Sequence, residues 1–187
     1  DLEVVDFIHL FKAATSDQIK KIFFPSMRTT NRSLLRIMKS KQFKNIKRER
    51  FLFSPKYVYY RKNKTQVIHN LLITEFYVLL KTCNKGSLVE FKTPYSILGY
   101  FPDCFVRYRI DNLEYLFFVE VQTSNSDLNF KKYEYIYQNH SWEEEWGVFP
   151  RIIIISDKNI NIHSKLNFIQ IKTDYKDWEV IFNEEVR

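Results

Sequence analysis

The chain has 187 residues, of which 45% are hydrophobic and 27% charged, with only 3 glycines and 5 prolines. That excludes a disordered polar tail and a collagen-like or low-complexity chain, and leaves one large or two small globular domains. The net charge is +7, and its distribution along the chain proves more informative than its sum.

Residues 2–14 predict a mostly buried helix, because Leu2, Val5, Phe7, Ile8, Leu10 and Phe11 are too many apolar residues for a narrow stripe. Thr15 or Ser16 is placed to cap a second helix with Ile19, Ile22 and Phe23 on one side, and Pro25 stops it. A third helix is expected from Met27 to about Ser40. At roughly 100° per residue, its Leu34, Leu35, Ile37 and Met38 share one arc, while Arg28, Thr29, Arg32, Ser33 and Arg36 share the next. Phe43–Arg50 then alternates apolar and basic residues, Phe51–Pro55 reads as a turn, and Tyr57–Tyr60 as a short aromatic strand.

Helix, helix, helix, hairpin is the order of a winged helix-turn-helix, which lays its third helix in the major groove and its hairpin near the phosphates. Arginine reads guanine by bidentate contact, and lysine supplies charge to phosphate. The expected double-stranded DNA contacts are Arg28, Thr29, Arg32, Ser33 and Arg36, with Lys39, Lys41, Lys44, Lys47, Arg48 and Arg50 following. Residues 1–64 hold 16 Lys+Arg against 5 Asp+Glu (+11), and residues 65–187 hold 13 against 17 (−4). A step of that size predicts two modules, the first facing a polyanion.

The polar stretch 61–65 marks the expected boundary, giving domains at 1–62 and 66–187. Residues 66–82 predict an amphipathic helix with Val67, Leu71, Leu72, Val78 and Leu79 on its apolar arc and Glu75 at the centre of that arc. A carboxylate buried there needs a cation, a metal or a proton. The remainder predicts a mixed-sheet α/β domain, with strands at 88–93, 103–110, 114–122, 151–156 and 167–172 and a last one near Trp178–Phe182. A helix capped by Asp127 should run to about Asn139, and a short one should cover Asp157–Ser164. Glu143–Glu145 reads as a solvated helix face, with Trp142 and Trp146 four apart as an alternative docking patch.

Pro102-Asp103 opens one strand, and on the next the period of two sets Glu120 and Gln122 on one face. With Asp111-Asn112 as the turn, antiparallel pairing brings Asp103 near Glu120 or Gln122, and Glu75 can join them as a Mg²⁺ site that activates a water. A PD followed about 17 residues later by ExQ resembles the PD-(D/E)xK nuclease superfamily. The resemblance makes Asp103 and Glu120 metal ligands. Gln122 stands where the lysine usually does, and Lys131 or Lys132 could supply that charge.

Over residues 5–140 the order also resembles the replication-relaxation family of mobile-element proteins. The matching stretches are Thr15–Phe24 with the Arg-rich helix after it, His69–Leu79, Phe101-Pro102-Asp103, and Phe117–Glu120 followed by Lys131–Tyr137. That resemblance implies a winged helix tied to a degenerate nuclease-like domain. It would serve plasmid replication, relaxation or mobilisation, as a homodimer or with replication or relaxosome proteins, and need no cofactor for DNA binding. A metal-dependent endonuclease is the alternative.

Other chemistries lack their motifs. Cys83 and Cys104 stand apart, with no CxxC, so a reducing cytoplasm is the expected compartment. No run approaches the roughly 18 apolar residues of a membrane span, and no leader pattern is expected. No HxH pair, GxxxxGK[ST] or GxSxG occurs.

Overall fold

The computed structural model describes residues 1–61, 66–123, 129–160 and 164–183. The chain divides into two units, Asp1–Asn84 and Lys85–Arg187, each built on its own sheet.

In the first unit, α1 (Leu2–Phe11) buries Val4, Val5, Phe7, Ile8 and Phe11. It stops short of the expected residue 14, because Lys12 turns left-handed (φ 65°) and Ala13–Thr15 become a strand, β1. Thr15 ends that strand and caps α2 (Ser16–Phe23). Its Oγ1 accepts from Gln18 N at 3.2 Å, while Gln18 Oε1 accepts from Thr15 N at 2.8 Å, a complete capping box. Ser26 caps α3 (Met27–Lys39), and a 3₁₀ turn at Lys41–Phe43 takes up the first residues of the expected strand. The hairpin proper is β2 (Ile46–Arg50) and β3 (Tyr57–Arg61), with β3 lying between β1 and β2 and antiparallel to both.

The next helix, α4 (Val67–Thr82), belongs to this first unit rather than opening the second, so the expected boundary near residues 62–66 moves to 84/85. Thr74 Oγ1 donates to Ala13 O at 2.7 Å, and Gln18 Nε2 to Leu71 O at 3.1 Å. Val67 completes a core cluster with Ala13, Val58 and Tyr60. Phe11 and Phe7 pack on Tyr77, ring centroids 4.8 and 5.9 Å apart. A polar linker breaks the sequence pattern without breaking the packing. This helix is apolar around most of its circumference and needs cover on several sides.

The second unit carries β4 (Ser87–Lys92), β5 (Cys104–Ile110), β6 (Leu113–Val121), α5 (Lys131–Asn139), α6 (Ser141–Trp146), β7 (Arg151–Ile155) and β8 (Phe168–Ile171). Sheet order follows chain order, with the first two pairings antiparallel and the last two parallel. The parallel return from β6 to β7 requires a crossover, which contains α5 and α6. Tyr133 and Ile136 of α5 pack with Phe105, Leu116, Phe118 and Ile152. Ile152–Ile155 are all buried, as a continuous β-branched run implies. At the mouth of β4, a Cβ on Gly86 would stand 2.1 Å from Arg109 O, so only glycine fits there.

Three expectations change. Trp178–Phe182 is a 3₁₀ turn and not a strand: Trp178, Ile181 and Phe182, spaced three and four apart, are its buried residues. No helix forms over residues 157–160, and residues 161–163 lie outside the described chain, as does the expected cap Asp127. Trp142 is buried against Phe149 and Tyr137, and Trp146 stacks on Phe105 at 5.0 Å, so this pair serves the core and not a docking patch. Glu143–Glu145 are exposed, as expected. Among the described residues no helix is long and apolar enough to cross a membrane.

These contacts predict the minimal folding piece. A fragment of residues 1–84 should give a cooperative thermal transition by circular dichroism. Residues 1–62, lacking Val67, Leu71 and Thr74, should melt broadly or not fold.

Candidate nucleic-acid interface and carboxylate site

On α3 the buried residues are Thr30, Ser33, Leu34 and Ile37, and the exposed ones include Arg28, Asn31, Arg32, Leu35, Arg36 and Lys39. The helix is therefore rotated from the expected orientation. Ser33, expected on the DNA face, is buried and donates its hydroxyl to the Asp1 carboxylate, while Leu35, expected inside, is exposed. Short hydroxyl residues can replace aliphatic ones at a helix contact when an acceptor is in reach. Thr30 Oγ1 finds Ser26 O at 2.9 Å. Thr29 is exposed, but its hydroxyl is engaged in the cap, 2.6 Å from Ser26 Oγ and 3.0 Å from Ser26 O. Arg36 meets Asp1 Oδ1 at 3.1 Å on the surface, a contact that solvent and salt weaken.

Lys41, Lys44, Lys47, Arg48 and Arg50 are all exposed, as expected. The register sets Arg50 opposite Tyr57 and Arg48 opposite Tyr59. Both guanidiniums lie over the Tyr57 ring, 4.4 Å and 4.6 Å from its centroid, a contact favoured by the ring quadrupole. Sequence reading missed Tyr57 as the support for both arginines; its signal was the cross-strand position. Residues 1–84 hold 17 Lys+Arg against 6 Asp+Glu, and residues 85–187 hold 12 against 16. The excess positive charge therefore belongs to the unit that carries α3 and the hairpin.

In the second unit, Asp103 N donates to Val119 O at 3.0 Å and the Asp103 carboxylate accepts from Val121 N at 2.8 Å. Asp103 thus reaches along the end of β6 beside Glu120, as the strand reading predicts. Glu120 is buried, its carboxylate accepting from Tyr133 OH and paired with Lys132 Nζ. Burial pushes the Glu120 carboxyl above the usual carboxylate range. Lys132 opposes that shift, and the nearby Asp103 charge adds to it. Lys132, not the exposed Lys131, is the cation delivered to this cluster. Gln122 ties the strand ends together through its backbone: its N–H donates to Ile155 O at 3.0 Å, and its carbonyl accepts from Ser156 Oγ at 3.1 Å. Sequence reading missed Tyr133, although its spacing to Ile136 marks the inward face of α5.

Glu75 does not complete a metal set. It lies at the edge of the buried arc, 27% exposed at its side chain, and is held within the first unit by Lys21 Nζ and Gln18 Nε2, each at 2.9 Å. The pairing with a lysine meets the need for a counter-charge. Asp103 and Glu120 offer the oxygen donors that Mg²⁺ takes. Among the described residues no His, Cys, Asp or Glu joins two others in a group that could hold a metal.

Compared with protein-family models, curated proteins and solved structures, the chain matches none.

The buried pair predicts a pH-dependent defect. A carboxyl whose folded pKa lies above its unfolded one stabilises the fold below the unfolded pKa and loses that contribution as pH rises through the folded value. Lys132→Met removes the opposing cation. It should cost about 3–5 kcal/mol at neutral pH and progressively less as Glu120 is protonated. Adding Glu120→Gln should recover most of the loss in urea unfolding at neutral pH.

Proposed function

We propose that this protein binds double-stranded DNA through its first unit, acting as a winged helix-turn-helix. The observation that carries the reading is the cationic surface of α3 and the hairpin: Arg28, Arg32, Arg36 and Lys39 on the helix, with Arg48 and Arg50 steadied by Tyr57. The order α1–β1–α2–α3–β2–β3 with β3 central supports it. In this reading α3 enters the major groove, where Arg32 and its neighbours meet guanine edges, and Lys44 and Lys47 meet phosphates. Thr29 sets the helix start and Ser33 its seating, so neither reads bases.

The second unit is read as a PD-(D/E)xK-like domain, on the strength of Asp103 and Glu120 converging at one end of the sheet. Following the family resemblance, the protein serves as an accessory factor in replication, relaxation or mobilisation of a plasmid or other mobile element. Its second unit then acts as a partner-binding or dimerising module. A metal-dependent endonuclease is the second reading, favoured by Lys132 beside Glu120, since that ammonium brings the charge Gln122 lacks. Asp103 and Glu120 would then hold Mg²⁺, which would activate the attacking water.

Two experiments separate these readings. After selection of a preferred site from random duplexes, Arg32→Ala should weaken that site by about 1–3 kcal/mol and barely change random DNA, while Lys44→Ala or Lys47→Ala should weaken both alike. Affinity should fall steeply with salt as counterions are released. Equal losses for Arg32→Ala on both probes refute the groove placement. Supercoiled plasmid with Mg²⁺ or Mn²⁺ should stay intact under the first reading. Nicking that Asp103→Asn abolishes would establish the second.

A further inference from the structure

The turn between β2 and β3 carries three consecutive apolar residues at its apex. Phe51 is anchored, its ring meeting Tyr60 edge-on at 5.8 Å beside the core cluster. Phe53 stacks on Phe51 at 5.0 Å and is half exposed (49%), and Leu52 is fully exposed at 110% of its reference area. The turn is closed by Ser54 N donating to Phe51 O at 3.0 Å, and Lys56 N donates to Ser54 Oγ at 3.3 Å. A single exposed leucine is ordinary on a protein surface. Here it lies in sequence between two stacked rings, the first of which is held against the core cluster.

From this geometry we infer that the hairpin tip is a wedge that unstacks a base step of duplex DNA. The inference rests on the DNA-binding reading and extends it. Inserted apolar side chains separate base pairs from the minor-groove side, and the flanking cations hold the backbone while they do so. The flanks of this tip fit that division of labour. Lys47, Arg48 and Arg50 are exposed along β2, and Lys56 is exposed beyond the turn, 3.5 Å from the Asp17 carboxylate; Glu49, between the two arginines, accepts from Tyr60 OH at 2.8 Å. An apolar protein surface covering Leu52 and Phe53 would have to desolvate those cations without compensation. A polyanion with apolar gaps between its bases suits both parts of the surface.

The probe is a short duplex with 2-aminopurine at a central TA step, the most easily unstacked kind, mixed with the full chain. Anisotropy reports binding, and 2-aminopurine fluorescence reports unstacking. The intact protein should bind and raise the fluorescence. It should also bind roughly tenfold more tightly to the same duplex carrying a mismatch at that step, where unstacking costs less. Leu52→Ala, at a side chain with no packing to lose, should abolish the fluorescence rise and the mismatch preference. Affinity for the matched duplex should stay within about threefold, because the phosphate contacts remain. Arg50→Ala should do the reverse, weakening binding while leaving fluorescence at saturation high. Binding without a fluorescence rise overturns the wedge and leaves the DNA-binding reading standing. Absence of binding at low salt overturns both. A Leu52-dependent dimer in the absence of DNA, seen by light scattering, overturns the wedge by assigning the tip to a second copy.

Discussion

Ala13 lies opposite Tyr60 in a strand of three residues, and the first unit closes around that pairing. The left-handed Lys12 turns the chain out of α1, and its carbonyl accepts from Arg61 N at 3.1 Å. Ala13 then gives its carbonyl to Thr74 of α4, and Thr15 leaves the strand as the cap of α2. One short segment therefore fixes the hairpin on one side and α2 and α4 on the other, with α3 packed on α2 and β2. The relative placement of Arg32 on α3 and Arg48 on β2 depends on it. Ala13 and Ala14 are fully buried, and larger side chains there would force the layers apart.

A different constraint governs the second unit. Where β5 begins, the Asp103 carboxylate, not a backbone carbonyl, receives Val121 N. That hydrogen bond places a carboxylate beside Glu120 in a region that burial has already made hostile to charge. Two features relieve the conflict: Lys132 supplies the opposite charge, and Tyr133 supplies a hydrogen bond. A buried pair of this kind repays its desolvation only when such extra hydrogen bonds are present. The cluster is therefore a set of four side chains, and changing one alters the protonation of another.

Much of this was legible in the sequence, for reasons that differ by element. Thr15 or Ser16 as a cap and Pro25 as a stop are local signals, so the expected bounds of α2 and α3 lie close to those observed. The isoleucine run at 152–155 could only be an interior strand. The Asp103–Glu120 approach followed from strand period and the Asp111-Asn112 turn. Ala13–Thr15 was illegible because three residues carry no period, and their strand character comes from β3. Ser33 was misplaced because polarity alone assigns hydroxyls outward, whereas Thr30 and Ser33 satisfy theirs inside. Glu75 falls at the centre of its arc only if α4 buries a single stripe. Contacts on several sides, with Lys21 and Gln18 reaching from α2, move the carboxylate to the rim.

The same electrostatics sets terms for the endonuclease reading. Lys132 and a divalent cation would compete for the Glu120 carboxylate, since the ammonium already sits on it. A metal ion arriving there must displace Lys132 or share the carboxylate's second oxygen, where Asp103 can help. Part of its binding free energy is then spent separating a buried pair, which lowers affinity for the metal. A lysine released by that exchange would stand beside the ion, free to hold a phosphate oxygen or the attacking water. If Lys132 stays on Glu120, that carboxylate is not open to a divalent ion. Under the endonuclease reading, the second unit would thus depend on which cation holds Glu120. On the basic surface of the first unit the one carboxylate set against an α3 arginine, among the described residues, is that of Asp1 on Arg36, an exposed pair that solvent weakens.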